Sequence, residues 1–383
     1  MKFLSLSSRR FLLLVLVAIS SPLAAFATDM DRNSDGYSVG AFPHHVEVAD
    51  FNGDRHLDLA IPSSASREVT VMLGDGKGGF SSIRNYPVGQ GPTWVAIADF
   101  NGDGHLDLVT CNAGEGSLTL YHGDGRGGFS GRRDIEGVGG ANSLVVGDFN
   151  LDGHPDLALA LVASSQVQVL RNGGGGRFDH LPPHGVDTAP HIIDSADLNG
   201  DGHSDVIVGS LGTHTLTVFL SRDDGSFHPP SASKVGRFPH YRGYGDFNGD
   251  GHLDAVVAVS GEEAIQLLLG DGRGGLKPLP LIRVGVNPHG LVAGEFTGDG
   301  HMDVAVANRT SKDLAVFRGD GRGGLKETFR TRIGEDVITL ALGDFNEDGR
   351  SDLVLILASA GKVRIYTGDG QGRFIPIGNP EHR

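Results

Sequence analysis

The chain has 383 residues, a formal net charge of −15 and a single cysteine, Cys111. One cysteine excludes an internal disulfide. The acidic balance argues against nucleic acid or an anionic membrane surface as a partner.

The N-terminus reads as a targeting segment. Lys2, Arg9 and Arg10 give a basic start, and residues 11–19 form an apolar run too short to span a bilayer. Ala25-Phe26-Ala27 has the form of a cleavage site. Residues 1–27 are therefore expected to be a signal peptide, and the mature chain, secreted or periplasmic, is expected to begin at Thr28. Ser8-Arg9-Arg10-Phe11-Leu12 loosely resembles a twin-arginine export signal. No later segment has the length and apolarity of a membrane span. An exported chain without disulfides needs another staple.

From residue 50 onward the chain is one unit repeated. The stretch D-F-N-G-D-G-H-L-D at Asp99 recurs at Asp50, Asp148, Asp197, Asp246, Glu295 and Asp344, each step being 49 residues. A fixed period of this length indicates a solenoid or a propeller. Each stretch places oxygen-bearing side chains at loop positions 1, 3, 5 and 9, with a backbone carbonyl available at position 7. The candidate ligands are Asp50, Asn52, Asp54 and Asp58; Asp99, Asn101, Asp103 and Asp107; Asp148, Asn150, Asp152 and Asp156; and Asp197, Asn199, Asp201 and Asp205. They continue with Asp246, Asn248, Asp250 and Asp254; Glu295, Asp299 and Asp303; and Asp344, Asn346, Asp348 and Asp352. Hard oxygens at this spacing suit Ca2+ and match the start of an EF-hand loop, with Asp at position 9 in place of a later Glu. The simpler reading is an Asx-rich turn, and seven copies in register weigh against it. The ligand positions hold 21 of the 47 acidic residues, so the negative charge is largely a calcium inventory. Arg55 replaces a Gly and is expected to strain the first loop. Glu295 and Thr297 depart from the pattern, so the sixth is expected to bind weakest.

Within each repeat four short apolar runs read as strands. In the second repeat these are residues 94–98, 106–111, 118–121 and 129 to about 137, separated by Gly, Asn and Asp. Cys111 falls in such a run and is expected to be buried. A second fixed loop, G-D-G-x-G-G-F at Gly123 and its counterparts, is followed by a strand and so reads as a hairpin turn rather than a phosphate cradle. Two aromatic registers, one headed by Phe51 and one by Phe80, are expected to pack the core. The fold expected is all-β: a seven-bladed β-propeller of four antiparallel strands per blade, with the calcium loop between the first and second strands. Residues 28–383 are expected to form a single seven-bladed domain, the repeats accounting for nearly all of them.

The whole pattern, P-x-x-[VL]-x-x-x-D-F-N-G-D-G-x-x-D-[LV] followed by a strand and G-D-G-x-G-x-F, resembles the FG-GAP repeats of VCBS and integrin-α-like propellers. The resemblance spans all seven repeats. It implies a calcium-bearing propeller and leaves activity open among adhesion modules, lectin-like binders and polysaccharide lyases.

One further register stands six residues before each acidic loop: His44, Thr93, Asn142, His191, His240, His289 and Ile338. These are expected to ring one mouth of the central channel, with Glu47, Asp194 and Arg242 nearby. Inheritance from one ancestral repeat is the plain explanation. The alternative is a ligand site for a transition metal or an anionic sugar, formed by His44, His191, His240, His289 and Arg242. A second histidine register, including His203, lies inside the acidic loops and is expected to be exposed. No G-x-S-x-G or H-E-x-x-H nucleophile or zinc motif occurs. The expectation is a monomeric binding or adhesion module for an extracellular glycan or protein. A lyase acting at the channel mouth is the alternative.

Overall fold

The computed structural model describes residues 36–377; the expected signal peptide lies outside them. Seven antiparallel sheets follow one another along the chain, each a blade. Blade 2 is representative: its strands are Pro92–Ala98, Asp107–Asn112, Ser117–Gly123 and Phe129–Ile135. The second strands are the most buried elements, and Asp107–Asn112 has no exposed residue. They read as near-continuous apolar runs because both of their faces meet neighbouring blades. Among the described residues the only helical element is a 3-10 turn at Ser260–Glu262. No helix there is long and apolar enough to cross a membrane.

The ring closes by mixing the two ends of the chain. Tyr37–Ser38 pairs with the third strand of blade 7, Lys362–Gly368, through Tyr37 opposite Val363 and Ser38 opposite Lys362. The final strand, Phe374–Pro376, pairs with the other half of that third strand. Two short pieces thus make one outer strand, and the edge that an open array would present is covered.

Neighbouring blades are joined at the acidic-loop face. Phe51 meets Phe129 edge-on at 5.7 Å, and Phe100 meets Phe178 at 5.6 Å. The first aromatic of one blade therefore packs on the second aromatic of the next. The glycine-rich hairpins add a backbone bond across the same seams: Gly176 N–H donates to Phe100 O at 2.7 Å, and Gly78 N–H to Phe345 O at 2.7 Å. Gly125 carries a positive φ of 64°, and a Cβ there would lie 2.4 Å from His105 Nδ1. The hairpin glycine therefore serves as the seat of an imidazole as well as a turn residue. Cys111 is buried, as its sequence context implied.

Candidate functional site: the channel mouth and the acidic loops

The acidic loops share one hydrogen-bonded geometry. In the first, the Asp50 carboxylate accepts from Gly53 N at 2.8 Å, Asp54 N at 3.2 Å and Arg55 N at 2.7 Å. Asn52 Nδ2 donates to Asp54 at 2.8 Å. Asp58 accepts from Phe51 N at 2.8 Å and from Gly74 N, at the end of the third strand, at 2.7 Å. This position-9 aspartate is fully buried in all seven loops. Burial, offset by the backbone bonds and reinforced by the other loop carboxylates, pushes Asp58, Asp156 and Asp352 up to about 6. A buried acid held beside two more acids is relieved by a cation between them. The donor set, oxygens only, fits a hard cation such as calcium.

Arg55 adopts φ 74°, the left-handed conformation expected of a residue standing in for Gly. Leu151 and Glu347 do the same at φ 55° and 57°. In the sixth loop, oxygens of Glu295, Asp299 and Asp303 lie within 4.8 Å of one another, the only such triplet among the described residues. Asp299 also holds Arg318 Nε at 2.7 Å, a cation of the protein's own that competes for that carboxylate. One expectation is corrected here. His203 is buried, 7% exposed, because the drifted hairpin of blade 4 folds over it and Asp223 reaches its Nε2 at 3.0 Å.

The other face carries the channel mouth. Six of the seven first strands enter there through a β-bulge: pairing skips from Pro190 to Ile192 in blade 4, from Pro239 to Arg242 in blade 5 and from Pro288 to Leu291 in blade 6. The skipped residues include His191, His240 and His289. Bulges re-aim side chains, and they cluster beside functional sites. His44, His191, His240 and His289 line one cavity of about 290 Å³. His240 stacks on His289 at 4.3 Å between ring centres, and His191 meets His240 edge-on at 5.9 Å.

Part of this register stitches the blades together. Thr93 Oγ1 donates to Asn142 O at 2.7 Å, Asn142 Nδ2 to His191 O at 3.3 Å, and His289 Nδ1 to Ile338 O at 2.8 Å. The pattern breaks at two histidines: Nδ1 of His191 and Nδ1 of His240 are buried without a partner. Burial pushes His191 and His289 down to about 4 and His240 down to about 3, and lowers His44 as well. The imidazoles are therefore neutral at physiological pH.

The channel below is plugged by rings. His45 stacks on Trp94 at 3.7 Å, Tyr241 stacks on Trp94 at 5.7 Å, and Tyr241 Oη donates to His44 O at 3.1 Å. Trp94 and Tyr241 line the cavity too, so the mouth is a cup with an aromatic floor. Arg242 lies away from it. Its guanidinium is buried between blades 4 and 5, on Asp194 at 2.6 Å and on Ile192 O at 3.0 Å. Glu47 is likewise engaged, with His45 at 3.1 Å.

Trp94, Tyr241, Arg309 and Phe42 line the cup without having been singled out in the sequence. Arg309 lines the wall. Phe42, 58% exposed, lines it too and stands immediately before Pro43 with φ 54°; Phe238, 46% exposed, holds the same register before Pro239 with φ 56° but does not line the cavity. A left-handed phenylalanine before proline is disfavoured on two counts, and such strain concentrates at functional sites. Aligning the repeats would have exposed them, because the same register holds Gly91, Gly140, Ala189, Asn287 and Asp336 elsewhere.

No curated protein matches the chain in sequence. Its fold is similar to the crystal structure of BBS1N in complex with ARL6DN (TM-score 0.62, 13% identity, 86% of this chain and 93% of that one). It is also similar to hydrazine synthase of Kuenenia stuttgartiensis (TM-score 0.60, 14% identity, 85% and 95%). A third is virginiamycin B lyase of Staphylococcus aureus (TM-score 0.57, 11% identity, 87% and 96%). At these identities the likeness shows the fold alone. The family model of the FG-GAP-like repeat matches residues 50–110, 99–159, 152–208, 246–306 and 295–355, which cover well over half of the chain. With seven blades built on that repeat, the chain belongs to the FG-GAP-like repeat family.

Proposed function

We propose that this protein is an exported, calcium-stabilised propeller that acts as a monomeric binding module, taking a sugar of an extracellular glycan into the cup at its channel mouth. The observation that carries the reading is the cup itself. A cavity of about 290 Å³ is lined by the largely buried rings of Trp94 and Tyr241 and by a wall of polar groups. Ligand sites combine these features: an enclosed, mostly apolar hollow with a few convergent polar atoms. A recess this small suits one sugar ring better than the broad, shallow contact of a protein partner. Calcium at the opposite face would hold each first strand against its second and so fix the bulged entries that carry the histidines. The neutral imidazoles favour binding over proton abstraction. Bases with pKa values near 3 to 4 lie far below physiological pH and make weak general bases. A glycan array probed with the calcium-loaded protein and with a His240→Ala/His289→Ala variant tests the reading. The wild type is expected to bind a defined set of glycans and the variant to lose them while staying folded and calcium-responsive, with a melting temperature lowered modestly by the lost His289–Ile338 bond. Equal binding by both would place the site elsewhere.

A further inference from the structure

The cup differs in charge from the molecule that surrounds it. The chain carries 47 acidic residues, yet among the described residues no carboxylate lines the cup. Among the described residues the one arginine or lysine in its wall is Arg309, at the end of the second strand of blade 6, Asp303–Asn308. The repeats place Ser64, Ala113, Val162, Leu211, Ser260 and Ala358 at this register, so the guanidinium is a departure confined to one blade.

Arg309 is not consumed by the fold. Among the described residues its one ion pair is a long one, 3.5 Å to Asp336 Oδ2. That oxygen already accepts from Ser359 Oγ at 2.8 Å. The arginine side chain remains 38% exposed. Around it, His44, His240 and His289 feel its charge, and His289 keeps its Nδ1–H on Ile338 O. A cation beside neutral imidazoles repels a metal ion and attracts an anion. Arginine's planar fork matches a carboxylate through two parallel bonds. Trp94 and Tyr241, 7% and 8% exposed and stacked with His45 and with each other, give the same cavity an apolar base.

We propose that the cup selects acidic sugars, with Arg309 receiving the sugar carboxylate while the ring sits against the apolar base to which Trp94 and Tyr241 contribute. This rests on the cup being the ligand site and adds the charge of its ligand. Arg309 is then the residue that sets specificity, and the histidines shape the wall.

Calorimetric titration of the full calcium-loaded protein tests the assignment. The probes are glucuronate, galacturonate and N-acetylneuraminate, with glucose and galactose as neutral counterparts and acetate as a bare carboxylate. At least one acidic sugar is expected to bind tenfold or more tightly than the neutral sugars, a gap typical of one charge-assisted hydrogen-bonded pair. Arg309→Gln should bring that ratio close to one with the melting temperature unchanged, and Arg309→Lys should keep part of the preference. Neutral sugars binding as tightly as acidic ones would overturn the charge assignment and leave the cup standing. Acetate binding as tightly as the acidic sugars would remove the role of the floor. Binding of an acidic sugar that His240→Ala/His289→Ala leaves untouched would overturn the cup as well.

Discussion

Replacing Phe42 by Gly separates a rim residue kept for a ligand from one kept for the scaffold. A core phenylalanine of this fold, such as Phe100 at 1% exposure, should cost about 3–5 kcal/mol on truncation. At Phe42 the terms nearly cancel. The ring is more than half exposed, so its loss forfeits roughly 1 kcal/mol of burial. Glycine adds about 0.5–1 kcal/mol of unfolded-chain entropy. Against these, the left-handed φ of 54° is relieved, a gain of about 1–2 kcal/mol. The backbone bond from Ser64 N to Phe42 O, at 3.0 Å, needs no side chain and persists. Gly91 already fills this register in blade 2 at φ 60°. Phe42→Gly should therefore melt within about 3 °C of the wild type while losing roughly tenfold or more of its affinity for an array-identified glycan. Calorimetric melting and a binding titration on the same preparation read both. A drop of 10 °C or more with affinity intact would show the phenylalanine to be scaffold and refute the strain argument.

Chelation of calcium should lower the melting temperature, and re-addition should restore it. Each saturated site adds about 2.7 kcal/mol at a hundredfold excess over its dissociation constant, and an unchanged midpoint would show that the loops hold no ion. Deleting residues 28–40 should destabilise the whole ring, since Tyr37 and Ser38 complete the outer strand of blade 7 and the Tyr37 ring meets Phe80 at 5.1 Å; equal melting would mean that the closure is dispensable. The histidines predict a pH effect of definite sign in the calcium-saturated protein. Unfolded imidazoles take up protons near 6.5, whereas in the fold His191 and His289 resist until about 4 and His240 until about 3. The unfolded state binds more protons across that window, so stability should fall as pH drops from about 6.5 towards 4. Each imidazole contributes at most roughly 1.4 kcal/mol per pH unit. His240→Asn/His289→Asn should flatten the slope, and superimposable curves would contradict the burial of the two rings.

The repeat made most of the fold legible. Strands expected at residues 106–111 and 118–121 appear as Asp107–Asn112 and Ser117–Gly123, because the apolar runs are bounded by residues that cannot continue a ladder. The loop at Arg55 takes the conformation its position demands. What escaped the sequence lies where blades meet. Nothing local to Arg242 reveals that it crosses to Asp194 and sits over Gly209, where a Cβ would stand 2.3 Å from its Nη1. His45, Trp94 and Tyr241 share a register with Ser143 and Gly290, but their closing of the channel depends on large and small residues facing one another around a ring. Buried His203 follows from a drifted hairpin, which sequence shows only as a lost motif.

Trp94 is the single tryptophan of the chain, and it lines the cup. Its emission is therefore a direct reporter of that site, with no second indole to confuse the signal. Titrating the calcium-loaded protein with an array-identified glycan should produce a saturable change in Trp94 fluorescence, with a midpoint equal to the calorimetric dissociation constant. The change should vanish in His240→Ala/His289→Ala. Measured binding with no change in Trp94 emission, and with the double variant binding as tightly as the wild type, would contradict the assignment of the channel mouth as the ligand site.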